Sequence, residues 1–336
     1  MVALRTEITE IVTGLALLGY KDLERALEVR PGHITNVTHE CFDRLEAAYV
    51  AGDYAAEFST SWANGDRFRT ADVGLRGRPP LTVEWKGPHK PPGYETIPAD
   101  LRVDHVYLIS CKYGSSILHN VGPSNLFTAC LTEKRTDRSD WFHQMAPGQH
   151  QELYRAYIDG LGISGLPDRV EDLDKPTRAI LKRHKSPGRA WPGDSGEVYT
   201  SFAWAVAQRT AEHWLGNLGT DGERETLLWR LIRLQAAPYF VLGAQSDGVP
   251  THYQVGTPWD FRKQFRLRDF DAWADASGQP LIRWMARVID RVTNEQRSIE
   301  GHIEIRWSHG RFQGAPEAKV YLDTSPHQVA GYLPIS

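Results

Sequence analysis

The spacing of apolar residues changes along this chain, and the change marks where helices give way to strands. Ile8, Ile11, Val12, Leu15 and Leu18 recur every three to four positions, which predicts an amphipathic helix that Gly19 ends. A second helix is predicted from about Thr38 to Tyr54, with Phe42, Leu45, Ala48 and Tyr49 on one face. The period then shortens. Residues 68–75 and 81–86 read as two strands joined through Arg76-Gly77-Arg78-Pro79-Pro80, a hairpin. The prolines and glycines of 87–98 predict a loop, 103–112 a third strand, and 123–133 a helix. Helix, three strands and helix in succession make an α/β core.

Helical spacing continues over 151–161, 172–185 and 197–218, where Phe202, Val206, Thr210 and Trp214 share a face. Beyond Pro238 the apolar runs are short and strand-like, at 238–243, 252–256, 281–289, 302–307 and 318–322. A chain of 336 residues can bury more than one core. The expected organisation is a helical extension plus α/β core over 1–145, a helical and basic connector over 146–195, and a strand-rich α+β domain over 196–336.

Composition narrows the classes. No run approaches the roughly 18 apolar residues of a membrane helix, and the first residues lack the pattern of a secretory signal. Cys41, Cys111 and Cys130 are scattered and odd in number, which suits free thiols in a cytoplasmic protein rather than a disulfide framework or a zinc site. A net charge of −3 argues against a non-specific nucleic-acid coat, but basic residues clump at 177–189, at Arg230 and Arg233, and at 262–268. With tryptophans nearby, these clusters suit a polyanion-binding surface.

The candidate chemistry lies in the predicted strands, because charged groups inside apolar strands are costly unless paired or bound to a cation. On a single strand over 103–112, Asp104, Ser110 and Lys112 would point to one face, as Glu84 and Lys86 do on theirs. Acids and a lysine converging there could hold a divalent cation beside a phosphate. The His302-Ile-Glu304-Ile-Arg306 run also places three polar residues on one face, which reads best as an exposed sheet face.

From about Phe42 to Glu133 these residues resemble the PD-(D/E)xK superfamily of restriction-endonuclease-like nucleases. The resemblance implies a core of helix, three-stranded mixed sheet and helix, with a strand-rich C-terminal half that binds or reads DNA. It implies Lys112 as the catalytic lysine in Ser110-Cys111-Lys112, where Ser110 replaces the family's usual carboxylate. Glu84 and Asp104 would then ligate Mg2+. A rival register uses Asp72, Glu84 and Lys86. The activity implied is Mg2+-dependent hydrolysis of DNA phosphodiesters, of restriction or phage-defence type, in a homodimer by analogy. Two alternatives stay open: a non-catalytic nucleic-acid-binding subunit of a defence or repair complex, and a hydrolase of small or carbohydrate substrates.

Overall fold

The first apolar stripe becomes helix α1 (Leu4–Leu17), in which Ile8, Ile11, Val12 and Leu15 are fully buried and Gly19 follows with φ +77°. Helix α2 (Leu23–Val29), strand β1 (Ile34–Thr35) and helix α3 (His39–Ala51) come next, the last capped by the Thr38 hydroxyl. These features belong to a computed structural model that describes residues 3–87, 98–114, 116–132, 140–184, 190–245, 247–275 and 278–335. Most of the predicted 87–98 loop, with Glu133 and the basic residues Lys185 and Arg189, lies outside the described residues.

The predicted strand over 68–75 is instead the end of a helix and the turns after it. Helix α4 (Ala55–Thr70) buries Phe58, Ser61, Gly65 and Phe68, a helical spacing that overrides the strand-like look of its last residues. Gly65 lets α4 approach α1 closely, since a Cβ there would lie 2.7 Å from Ala16 Cβ. The proposed hairpin with residues 81–86 therefore does not form. Strand β2 (Val83–Trp85) pairs in parallel with β1 and antiparallel with β3 (Leu101–Val103).

The stretch 103–112 is likewise not one strand. β3 turns back into β4 (Tyr107–Tyr113), with Val106 N–H donating to the Val103 carbonyl at 3.0 Å. The two central residues, Asp104 and His105, have φ +48° and +58°, the left-handed backbone of a tight hairpin turn.

Strand β5 (Ile117–Val121), helices α5 (Trp141–Met145), α6 (Pro147–Leu161), α7 (Lys175–Arg183), α8 (Ser195–Asn217) and α9 (Asp221–Leu231) follow. Then come β6 (Tyr239–Ala244), β7 (Pro250–Val255), α10 (Pro258–Gln264), β8 (Phe265–Asp275), β9 (Leu281–Asp290), β10 (Gln296–Trp307), β11 (Pro316–Leu322) and β12 (Tyr332–Pro334). Instead of the predicted helix over 123–133 there is one wide helical turn, Ser124–Thr128.

The protein is thus mixed α/β, and it divides into two compact units, each discontinuous in sequence. The first comprises 1–116, 233–264 and 325–336, and the second 117–232 and 265–324. This differs from three consecutive segments because the chain leaves the first unit after β4 and returns for β6. The first unit holds the sheet β1-β2-β3-β4-β6-β7-β12, with β6 parallel to β4. The second holds the antiparallel sheet β5-β11-β10-β9-β8. Helix α8 packs on β8 and β9 through side chains such as Trp214, whose ring meets Phe270 edge-on at 5.5 Å.

Candidate functional site

In the first unit, one face of the β2–β3–β4 meander is apolar and the other polar. Val83, Trp85, Leu101, Val103 and Ile109 are fully or almost fully buried in the core that α1 joins. On the other face, cross-strand register puts Glu84 beside Arg102. One step further along, Lys86 N–H donates to the Asp100 carbonyl at 2.9 Å. Asp100 N–H donates to the Ile109 carbonyl at 2.7 Å, which sets Asp100 across from Ser110, two residues before Lys112. Helix α1 adds an acid. It comes from the apolar side, where a Cβ on Gly14 would meet Ile34 and Val83 at 3.0 and 3.2 Å. Glu10 sits one turn before Gly14, beside Trp85, and near enough to Asp100, Lys112 and Lys86 for their charges to act on it.

Hydrogen bonds fix both acids. Asp100 Oδ2 accepts from Cys111 N–H at 2.7 Å and from the Ser110 hydroxyl at 3.3 Å. Glu10 Oε2 accepts from the Trp85 indole N–H at 2.6 Å. Asp100 Oδ1 and Glu10 Oε1 accept no hydrogen bond among the described residues.

The electrostatics are dominated by loss of water. Burial, with the Asp100 charge adding to it, raises Glu10 to a pKa of about 7, against the Trp85 hydrogen bond and the charges of Lys112 and Lys86. Burial also raises Asp100, although Lys112 and the Cys111 N–H oppose the shift. Lys112 moves down because burial outweighs the attraction of Asp100, and Arg233 pushes the same way. Opposite charges here do not fully compensate for their desolvation.

Of the residues singled out from sequence, Ser110, Lys112 and Lys86 meet in this cluster. Glu84 accepts from Arg102 Nε at 2.7 Å. Asp104 lies at the hairpin turn and accepts the N–H groups of Leu81 and Thr82 at 2.8 and 3.0 Å, which gives it a structural duty. Lys112 is five residues beyond the turn-flanking Tyr107, roughly 17 Å at the rise of a strand. The shared parity of Asp104 with Ser110 and Lys112 is lost because the turn intervenes. Asp72 is exposed in the turns after α4 and belongs to no strand. Asp100 and Glu10 had a faint sequence signal: each is an acid set directly against a buried apolar run, Leu101-Arg-Val103 and Ile8 to Val12 respectively.

Among the described residues, no group of three or more His, Cys, Asp or Glu side chains could hold a metal ion. That excludes there a cage built wholly of protein ligands. Magnesium needs less, since one or two carboxylates with waters and substrate oxygens complete its octahedron. Two acids, each with one carboxylate oxygen that accepts no hydrogen bond among the described residues, fit that demand.

In the second unit, His302, Glu304 and Arg306 do share a face, and each is paired there. His302 Nδ1 lies 2.7 Å from Asp323, Arg306 donates to Glu317 at 3.0 Å, and Glu304 accepts from the Tyr321 hydroxyl at 3.0 Å. Arg178 and Arg230, from the basic clusters, hold the carbonyls of Phe312 and Cys130. Trp284 is fully buried, whereas Trp259 is 63% exposed with Lys263 Nζ 3.6 Å from its ring centre. No family model, curated protein or solved structure matches the chain.

Proposed function

We propose that the protein is a Mg2+-dependent nuclease that hydrolyses DNA phosphodiester bonds at the Glu10–Asp100–Lys112 cluster. The observation that carries this reading is the desolvated grouping of two acids, each with a carboxylate oxygen open to a cation, around a lysine whose pKa is lowered by burial. The order of elements supports it. A helix is followed by a three-stranded antiparallel meander and a later strand parallel to the last of the three, an order akin to the core that the PD-(D/E)xK resemblance implies. The implied sheet is mixed, however, and only a wide helical turn stands where its second helix was expected. Lys112 keeps the lysine position of that motif. Ser110 stands where an acid is expected, and Asp100, directly across from it, supplies the missing carboxylate.

Glu10 and Asp100 would hold the ion, which when bound activates water and offsets the charge that develops on the phosphate. The protein's own groups do the rest. Ser110 and the Cys111 N–H hold Asp100 in place, and Trp85 holds Glu10. Lys112, with its pKa lowered, can take a proton from water or neutralise a phosphate oxygen. Lys86 adds positive charge at the rim. A restriction or defence role, and action as a homodimer, complete the proposal.

The test is cleavage of supercoiled plasmid by the full-length protein with Mg2+ or with chelator. Cutting that needs Mg2+ and falls at least about 100-fold in Lys112→Ala is expected. DNA binding without any cutting would favour the non-catalytic subunit instead.

A further inference from the structure

We infer that Trp85 selects the cation this site accepts, by anchoring Glu10 so that it offers one carboxylate oxygen rather than two. The inference rests on the reading of Glu10 and Asp100 as cation ligands. Trp85 is 1% exposed, and its indole N–H reaches Glu10 Oε2 at 2.6 Å. Gly87, at φ +48°, folds against the same ring, where a Cβ would lie 3.0 Å from ring carbon. The donor is therefore held in place by its surroundings and cannot easily swing away.

Asp100 is tied in the same manner, with Oδ2 occupied by Cys111 N–H and the Ser110 hydroxyl. Each acid thus has one oxygen committed to protein donors and one that accepts none among the described residues. For either to chelate with both oxygens, it would have to turn its anchored oxygen from those donors, and a buried donor left without its acceptor is costly. Mg2+ and Mn2+ suit such ligands, since a compact octahedron takes single oxygens and fills out with water. Ca2+ favours about six to eight oxygens and often a carboxylate bound through both. Ser110 in place of a third acid pushes the same way. Trp85 touches neither ion nor substrate, so it is a positioning residue.

Calorimetric titration of Mn2+ and of Ca2+ into the full-length protein, without nucleic acid, tests this. The wild type is expected to prefer Mn2+, and the Mn2+-to-Ca2+ affinity ratio to fall about tenfold or more in Trp85→Phe. Trp85→His keeps a ring N–H and should retain more of the preference; equal loss in both variants points to packing alone and overturns the inference. Glu10→Asp leaves Trp85 in the core but withdraws the carboxylate by one methylene. It should also lose the preference, and it decides the matter if Trp85→Phe does not fold. An unchanged ratio in the folded variant overturns the inference and leaves the site standing. A wild type that binds neither ion overturns both.

Discussion

Two sheet faces in this protein carry rows of charged side chains, and they are completed differently. On β9, β10 and β11 the polar side chains sit near the surface and are paired: Arg306 with Glu317, Arg283 with Asp275, and His302 in hydrogen-bond contact with Asp323. Such half-exposed pairs contribute little to stability and ask for nothing further. On β2, β3 and β4 the row begins the same way, with Glu84 against Arg102. It ends in a half-buried group where burial pushes Asp100 and Glu10 up and Lys112 down. Like patterns of polar alternation therefore carry unlike meanings. What separates them is how they are paired: the first row meets opposite charges at the surface, and in the half-buried second group partial loss of water outweighs the opposite charges. Charges left in that condition are the ground on which we propose a ligand site there.

Substitutions at matched positions sharpen the contrast, beginning with the largest expected effect. A Cβ on Gly243 in β6 would strike the Lys112 carbonyl, and one on Gly301 in β10 would strike Trp284 and the Tyr321 carbonyl. Each change to alanine should cost about 3 kcal/mol by urea unfolding. Only Gly243→Ala should also abolish Mg2+-dependent cleavage under conditions where the variant is folded. Equal loss of cutting in both would erase the distinction.

Glu10→Gln comes next. Glu10 keeps its proton to about pH 7 in the fold, against 4.5 ordinarily, so folding takes up a proton between those values. Stability of the metal-free protein should therefore fall as pH rises through that window. In Glu10→Gln the slope over pH 5 to 7 flattens, and at pH 8 the variant is more stable than wild type by roughly 1–3 kcal/mol. Adding Mg2+ at pH 8 should raise the melting temperature of the wild type and leave that of Glu10→Gln nearly unchanged.

Asp104→Ala should cost about 1 kcal/mol, through the two N–H groups it now serves, with cleavage kept in the folded variant. The smallest effect belongs to the paired row. Glu317→Ala should change stability by less than about 1 kcal/mol and leave cleavage untouched. A large catalytic defect there would mean that the second sheet face belongs to a site too.

Periodicity in the sequence was enough to find α1, α3, α8 and strands β2, β6, β7, β9, β10 and β11, whose apolar runs stand out, but it did not pick out β1, β5, β8 or β12. It failed where local and tertiary signals compete. Residues 68–75 look extended, yet Phe68 completes the buried stripe of α4. Residues 103–112 look like one strand, because nothing in Asp104-His105 announces a left-handed turn as Asn-Gly would. That missed turn moved Asp104 into the site and left Asp100 out of it. Lys112, Ser110 and Lys86 were legible because a polar residue inside an apolar strand stands out. Glu10 was not, since its role depends on which face of α1 meets the sheet, and that is settled by Gly14 and the strands beneath it.

The central claim turns on which aspartate serves the lysine. Plasmid cleavage in Mg2+ should be compared for Asp100→Asn and Asp104→Asn, both confirmed folded by circular dichroism. The account predicts a loss of at least about 100-fold in Asp100→Asn and near wild-type cutting in Asp104→Asn. Full activity in Asp100→Asn, or loss confined to Asp104→Asn, would contradict it.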